Sequence, residues 1–231
     1  MTVTADRPVP TEGAGAPDDG AMTTARGDRR ADGDRPEPAA PMSDQILTAA
    51  AELFFLRGYH AVGIRELAEA VGLSTSTLYH YYRTKQDILF GIIHRFLAEF
   101  ADRLVPVLGD TSLTPTERLD RIVGEHIELT VHRSKELLVG NPVLNALSPQ
   151  QRAAITGLRR RYRDAIRDVL AEGVAAGEFC TQNPLLTAMA MLDMLDGIRV
   201  WYSTDGELPL DRLADEYRRY ALALARSGAL P

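Results

Sequence analysis

The chain has 231 residues, 45% of them hydrophobic and 25% charged, a balance that fits one or two globular domains with a substantial core. Its net charge of −6 speaks against a broadly basic nucleic-acid-binding surface, and its single cysteine excludes an intrachain disulfide. No apolar run approaches the roughly 20 residues that span a bilayer, and no N-terminal run resembles a signal peptide, so the expected compartment is cytoplasmic.

Residues 1–41 hold eight acidic side chains against five arginines, are rich in Pro, Gly and Ala, and lack aromatics and apolar periodicity. Such a segment cannot bury enough surface to offset its ordering entropy, and it is read as a disordered tail. After Met42 the pattern is helical. Ile46, Ala49, Ala50, Leu53 and Phe54 form one helical face, with Ser43 as the expected N-cap and Gly58 as the stop. Ile64, Leu67, Ala68 and Val71 form the inner face of a shorter second helix. Gly72 permits a sharp turn, Leu73 plugs inward, and Ser74 caps a third helix running to about Tyr82. Thr84 caps a long fourth helix, periodic through Ile88, Leu89, Ile92, Phe96, Phe100 and Leu104, which Pro106 is expected to bend or end.

Further helices are expected near 115–133, 134–146, 148–176, 184–203 and 209–227, with Pro115, Pro149, Pro184 and Pro209 near their starts. No alternating β-branched run points to a sheet. The fold class is all-α, about nine helices in total. It divides into an N-terminal three-helix helix-turn-helix DNA-binding domain over 42–88 and a helical ligand-binding and dimerisation domain over 89–228.

The DNA-binding reading rests on the second and third helices. Two helices meeting at a steep angle need a small residue at the crossing, a turn glycine and apolar plugs, and Ala68, Gly72, Leu73 and Leu78 occupy those places. Thr75, Ser76, Thr77 and His80 remain on the exposed tip, where short hydroxyls can reach base edges and a Thr methyl can meet a thymine methyl. Tyr79, Tyr81 and Lys85 flank the tip, with groups suited to phosphate oxygens. Arg65, near the start of the bracing helix, is placed to reach a base or a phosphate. Each residue alone fits a plain three-helix unit equally well; the cluster GLSTSTLYHYYRTK carries the reading.

The features IL-x-AA-x-ELF-x3-GY, then I-x3-LA-x3-G-x-S-x3-LY, then K-x2-IL resemble the TetR family of bacterial transcriptional regulators over about 48 residues. The resemblance implies a homodimer of nine-helix subunits that usually represses transcription and leaves a palindromic operator when a ligand binds. It implies Arg65, Thr75, Ser76, Thr77 and His80 on the base side, and Tyr79, Tyr81 and Lys85 on phosphates. The family commonly opens the second helix with Thr-Ser or Thr-Thr; this chain has Val62-Gly63, so a hydroxyl cap is expected to be missing.

In the C-terminal half, residues 184–203 are apolar nearly all round, which requires burial on more than one side. Residues 210–224 carry a stripe of Leu210, Leu213, Tyr217, Tyr220 and Leu224. The two together supply half of a four-helix bundle across a twofold axis, so residues 184–227 are the expected dimer surface. The segment GIRVWYSTDGELPLDRLADEY resembles a TetR subgroup concerned with lipid, fatty-acid or sterol breakdown, several members of which sense acyl-CoA thioesters. Phe96, Phe100, His126, Tyr162 and Trp201 are the candidate ligand-binding residues, though aromatics at helical spacing are more often core. Arg152, Arg159, Arg160, Arg163 and Arg167 share one helical face, which suits ligand phosphates or, more commonly, a solvated face with Arg160 and Asp164 paired.

No metal site or cofactor is expected, since His126 and His132 lie off a shared face and no Cys/His cluster is present. The chain lacks HExxH, G-x-S-x-G and phosphate-cradling glycine loops, so an enzyme is not expected. The function read from the sequence is a ligand-responsive, DNA-binding transcriptional regulator, a homodimeric repressor released from a palindromic operator by a small hydrophobic effector such as an acyl-CoA thioester of lipid catabolism. The alternatives are a repressor of efflux or detoxification genes sensing an uncharged lipophilic drug, and a helical interaction module without DNA binding.

Overall fold

Helix α1 (Met42–Arg57) buries Ile46, Leu47, Ala50, Ala51 and Phe54, and Gly58 ends it at a φ of 82°. It begins earlier than the Ser43 cap implies. The Pro41 carbonyl accepts from the N–H groups of Asp44 and Gln45, so Pro41 occupies the N-cap position without a side-chain bond. This computed structural model describes residues 40–133 and 144–228.

Helices α2 (Ile64–Ala70) and α3 (Thr75–Tyr81) are joined by a Schellman turn. Leu73 N–H reaches the Ala68 carbonyl at 2.9 Å and Gly72 N–H reaches that of Glu69 at 3.1 Å. Gly72 sits at a φ of 67°, a conformation that disfavours any residue with a Cβ. The turn thus takes its shape from one glycine, and Leu73 follows it into the core of the head.

Helix α4 (Lys85–Leu108) spans 24 residues, about 36 Å at 1.5 Å per residue. Its start is closed by a capping box in which Thr84 and Asp87 satisfy each other's backbone N–H groups. Pro106 does not end the helix. It lies in the last turn, where its missing N–H forfeits only one helical bond. Along α4 run two cores in series: Ile88, Leu89, Ile92 and Ile93 belong to that of the head, and Phe96, Phe100, Leu104 and Leu108 to a second, larger one. Leu97 packs against both.

The larger core is built by α4 with α5 (Pro115–His132), α6 (Pro149–Ala175), α7 (Pro184–Trp201) and α8 (Leu210–Ala225). Pro115, Pro149 and Pro184 each stand at the first helical position, and Pro209 precedes α8 as its N-cap. Eight α-helices and no strand occur among the described residues. The helix expected at 134–146 lies outside them, except for Leu144–Ala146, a single 3-10 turn. Arg118, buried at the start of α5, donates to the Leu108 carbonyl at 2.9 Å and pairs with Glu172, so it ties the ends of α4 and α6 together.

Helix α6 ends in a second Schellman turn around Gly177, which folds Phe179 back onto Gly173. A Cβ on Gly173 would lie 2.1 Å from a Phe179 ring carbon, and Phe179 is buried in the larger core. Gly173→Ala is therefore expected to destabilise the fold by about 1–3 kcal/mol through overpacking. A urea titration would show this as a lower midpoint at constant slope; an unchanged midpoint would mean that the ring swings aside freely.

Candidate functional site

The α3 tip is organised by Ser74. Its hydroxyl accepts from Thr77 N–H at 3.1 Å and lies 2.8 Å from the hydroxyls of both Ser76 and Thr77. Only Leu78 of this short helix is buried. Ser76 and His80 are exposed, Thr75 and Thr77 half-buried, and Tyr79 and Tyr81 lie open at 46% and 47% exposure. Neither phenol hydroxyl has a hydrogen bond among the described residues. Arg65 is exposed on the first turn of α2.

Lys85 is placed differently from the other expected phosphate ligands. Its ammonium donates to the carbonyls of Tyr59 at 2.8 Å and Val62 at 2.9 Å, and stands 4.5 Å from the centre of the Tyr59 ring. Burial lowers its pKa from the ordinary lysine value. Two of its three N–H groups thus tie the α1–α2 loop to the start of α4, and one is left over. The Val62-Gly63 departure is compensated locally. Val62 fills the head core, and the Glu66 carboxylate approaches Gly63 N–H at 3.4 Å, half of a capping box without the hydroxyl.

The head is also tied to the larger body through α6, a link the sequence did not suggest. Asp87 closes the α4 cap with Oδ2 and accepts from Gln151 Nε2 at 3.0 Å with Oδ1. Gln151 in turn closes the α6 cap, its Oε1 accepting from Ser148 N–H at 3.0 Å. The two helix starts are therefore joined cap to cap. Leu147 and Ile155 are buried in the head core beside them. The only sequence signal was S-P-Q-Q, which marks a cap but not its second partner.

One turn and more further along α6 lies a cavity of about 450 Å³. Four of the five candidate ligand residues line it: Phe96, Phe100, His126 and Tyr162. The fifth, Trp201, does not. It is 55% exposed at the end of α7, away from the cavity wall. The wall also includes Leu97, Leu158, Met189 and Leu192, with Arg159, Arg160 and Arg163 of the arginine stripe and the carboxylates of Asp193 and Asp196. Asp164 pairs with Arg163 and Arg167, in place of the expected Arg160.

His126 is 1% exposed, with Phe100 edge-on at 4.8 Å and its Nδ1 3.1 Å from the Tyr162 hydroxyl. Burial, with Asp196 and Glu125 nearby, raises the Tyr162 pKa far above the ordinary phenol value, so the phenol keeps its proton. Burial pushes the Asp196 carboxyl up, but His126, Arg199 and Arg159 outweigh it and hold the group below the usual carboxylate range. The cavity thus combines an aromatic and aliphatic lining, an ionised carboxylate, a buried imidazole and a basic edge.

Residues 46–92 match the family described as bacterial regulatory proteins, tetR family, and residues 112–225 match the tetracyclin repressor-like C-terminal domain. The chain belongs to the TetR family. It is 30% identical over 155 residues to the transcriptional regulator AcuR of Cereibacter sphaeroides, covering 64% of this chain and 70% of that one. It is 26% identical over 186 residues to the HTH-type transcriptional repressor KstR2 of Mycolicibacterium smegmatis, covering 80% and 90%. Among solved structures, AibR in complex with isovaleryl coenzyme A and operator DNA superimposes with a TM-score of 0.70 at 27% identity, covering 78% of this chain and 97% of that one. This TetR-family chain is a DNA-binding transcriptional regulator with a ligand-binding domain, and its relatives are regulators, not enzymes. No helix among its described residues is long and apolar enough to cross a membrane.

Proposed function

We propose that the protein is a homodimeric repressor that leaves a palindromic operator when an acyl-CoA thioester enters the cavity between α4, α5, α6 and α7. The observation that carries the effector class is the pairing of an apolar lining with Arg159, Arg160 and Arg163 at one cavity, since a thioester presents an acyl chain and nucleotide phosphates together. The related AibR holds isovaleryl coenzyme A, and the related KstR2 is named a transcriptional repressor. The head over 42–88 and the body over 89–228 act as two functional units, divided within α4.

In this reading Thr75, Ser76, Thr77, His80 and Arg65 face the bases. Tyr79, Tyr81 and the remaining N–H of Lys85 face phosphates. The dimer forms through α7 and α8, where Leu185, Leu186, Val200, Trp201 and Tyr220 stay exposed in the single subunit. The effector acts through α6, which carries both cavity wall and the Gln151–Asp87 bond at the start of α4. It shifts the equilibrium because it binds the DNA-incompetent arrangement more tightly.

A gel shift on DNA upstream of the protein's own gene tests this. The wild type should bind, and Tyr79→Ala/Tyr81→Ala should lose affinity by about a hundred-fold or more, because up to four charge-assisted bonds disappear per dimer. Adding octanoyl-CoA should release the DNA. Release by an uncharged lipophilic drug with no response to any thioester would replace the acyl-CoA reading with a detoxification role. Absence of any DNA binding would leave a helical interaction module.

A further inference from the structure

The cavity holds a hydrogen-bonding pair that an unadorned acyl chain cannot use. Among the described residues the buried His126 Nε2 has no hydrogen-bond partner; Asp196 Oδ1 stands 3.7 Å away, within reach of charge attraction but beyond that of a hydrogen bond. The ionised Asp196 carboxylate facing Nε2 favours a proton there, and Nδ1 then accepts from the Tyr162 hydroxyl, its neighbour at 3.1 Å. Asp196 is an ionised acceptor whose other oxygen faces Arg199. A donor and an anionic acceptor therefore face each other at a distance too long for a hydrogen bond, in a cavity whose apolar wall includes Phe96, Phe100 and Leu192.

We propose that the effector carries a hydroxyl group on its apolar part, seated between His126 and Asp196. A hydroxyl oxygen accepts from Nε2–H and donates to the carboxylate, and at about 2.8 Å from each it bridges the pair from one side of the line joining them. A carbonyl would satisfy His126 but set its lone pairs against the carboxylate. An ammonium would satisfy Asp196 but oppose Nε2–H. A methylene would leave the buried Nε2–H unpaired, and sites built to bind a hydroxyl reject the analogue that lacks it. This inference rests on the cavity being the effector site, and it narrows the effector from acyl-CoAs in general to hydroxyacyl ones.

The test is isothermal titration calorimetry of the purified full chain with octanoyl-CoA and its 2-, 3- and 8-hydroxy derivatives. A CoA-free pair, methyl octanoate and methyl 3-hydroxyoctanoate, is titrated in parallel. At least one hydroxylated thioester should bind ten-fold or more tighter than octanoyl-CoA. Asp196→Leu should reduce that ratio to within two-fold, whereas a merely structural role for Asp196 would weaken both ligands alike and leave the ratio intact. Equal binding of all thioesters overturns the hydroxyl inference and leaves the acyl-CoA reading standing. A hydroxyl preference confined to the methyl esters, with no thioester bound, supports the inference and removes the acyl-CoA reading. Failure of every hydroxylated compound to bind overturns the inference.

Discussion

Leu186→Glu combined with Trp201→Glu is expected to convert the protein into a folded monomer with little affinity for its operator. Both side chains are more than half exposed on α7, at 58% and 55%, so charges there cost the subunit's own core almost nothing. Across the proposed twofold they would place like charges and lost apolar area in a bundle centre. Each head would then bind its half-site alone. The loss of the intramolecular second contact is worth about 10²- to 10⁴-fold in apparent affinity. Analytical ultracentrifugation with far-ultraviolet circular dichroism checks the first part, and fluorescence anisotropy on operator DNA the second. A variant that sediments as a dimer would move the interface away from α7.

Lys85→Met separates the bracing bonds that the ammonium makes from its proposed phosphate contact. Loss of the bonds to the Tyr59 and Val62 carbonyls should lower stability by about 1–3 kcal/mol, because two half-buried acceptors lose a charged donor. If the third N–H also meets a phosphate, the slope of log affinity against log salt should become shallower by about 1.8 per dimer, from 0.9 for each phosphate released. Thermal unfolding reads the first effect and anisotropy at several salt concentrations the second. An unchanged slope with reduced stability would make Lys85 a brace for the reading head and nothing more.

The arginine stripe shows where sequence reading reached and where it stopped. The 100° step placed Arg159, Arg160 and Arg163 on one face of α6, and the structure keeps them together at the cavity. Whether that face met solvent or a cavity depended on how α6 rolls against α4 and α7, which no local pattern records. Phe96, Phe100, His126 and Tyr162 came within reach for the same reason: helical periodicity puts them on inward faces, and inward faces of a helical bundle meet. Trp201 failed because α7 is apolar nearly all round. A helix without a polar face gives no sign of which side its own subunit covers.

By itself the sequence determined the helices and most of their ends, because caps, turn glycines and N-terminal prolines act within a few residues of where they are written. It also determined the reading head, whose turn at Gly72 and polar tip at Ser74–Thr77 are local chemistry. Only the tertiary structure decided the cap-to-cap bond between Asp87 and Gln151 and the gap between His126 and Asp196. These join residues 64 and 70 positions apart in the chain, and such pairs meet only when helices have packed at particular angles and rotations. The physical reason is range: hydrogen bonds along a helix are fixed by neighbours, whereas contacts between helices are fixed by how all the buried side chains interlock at once.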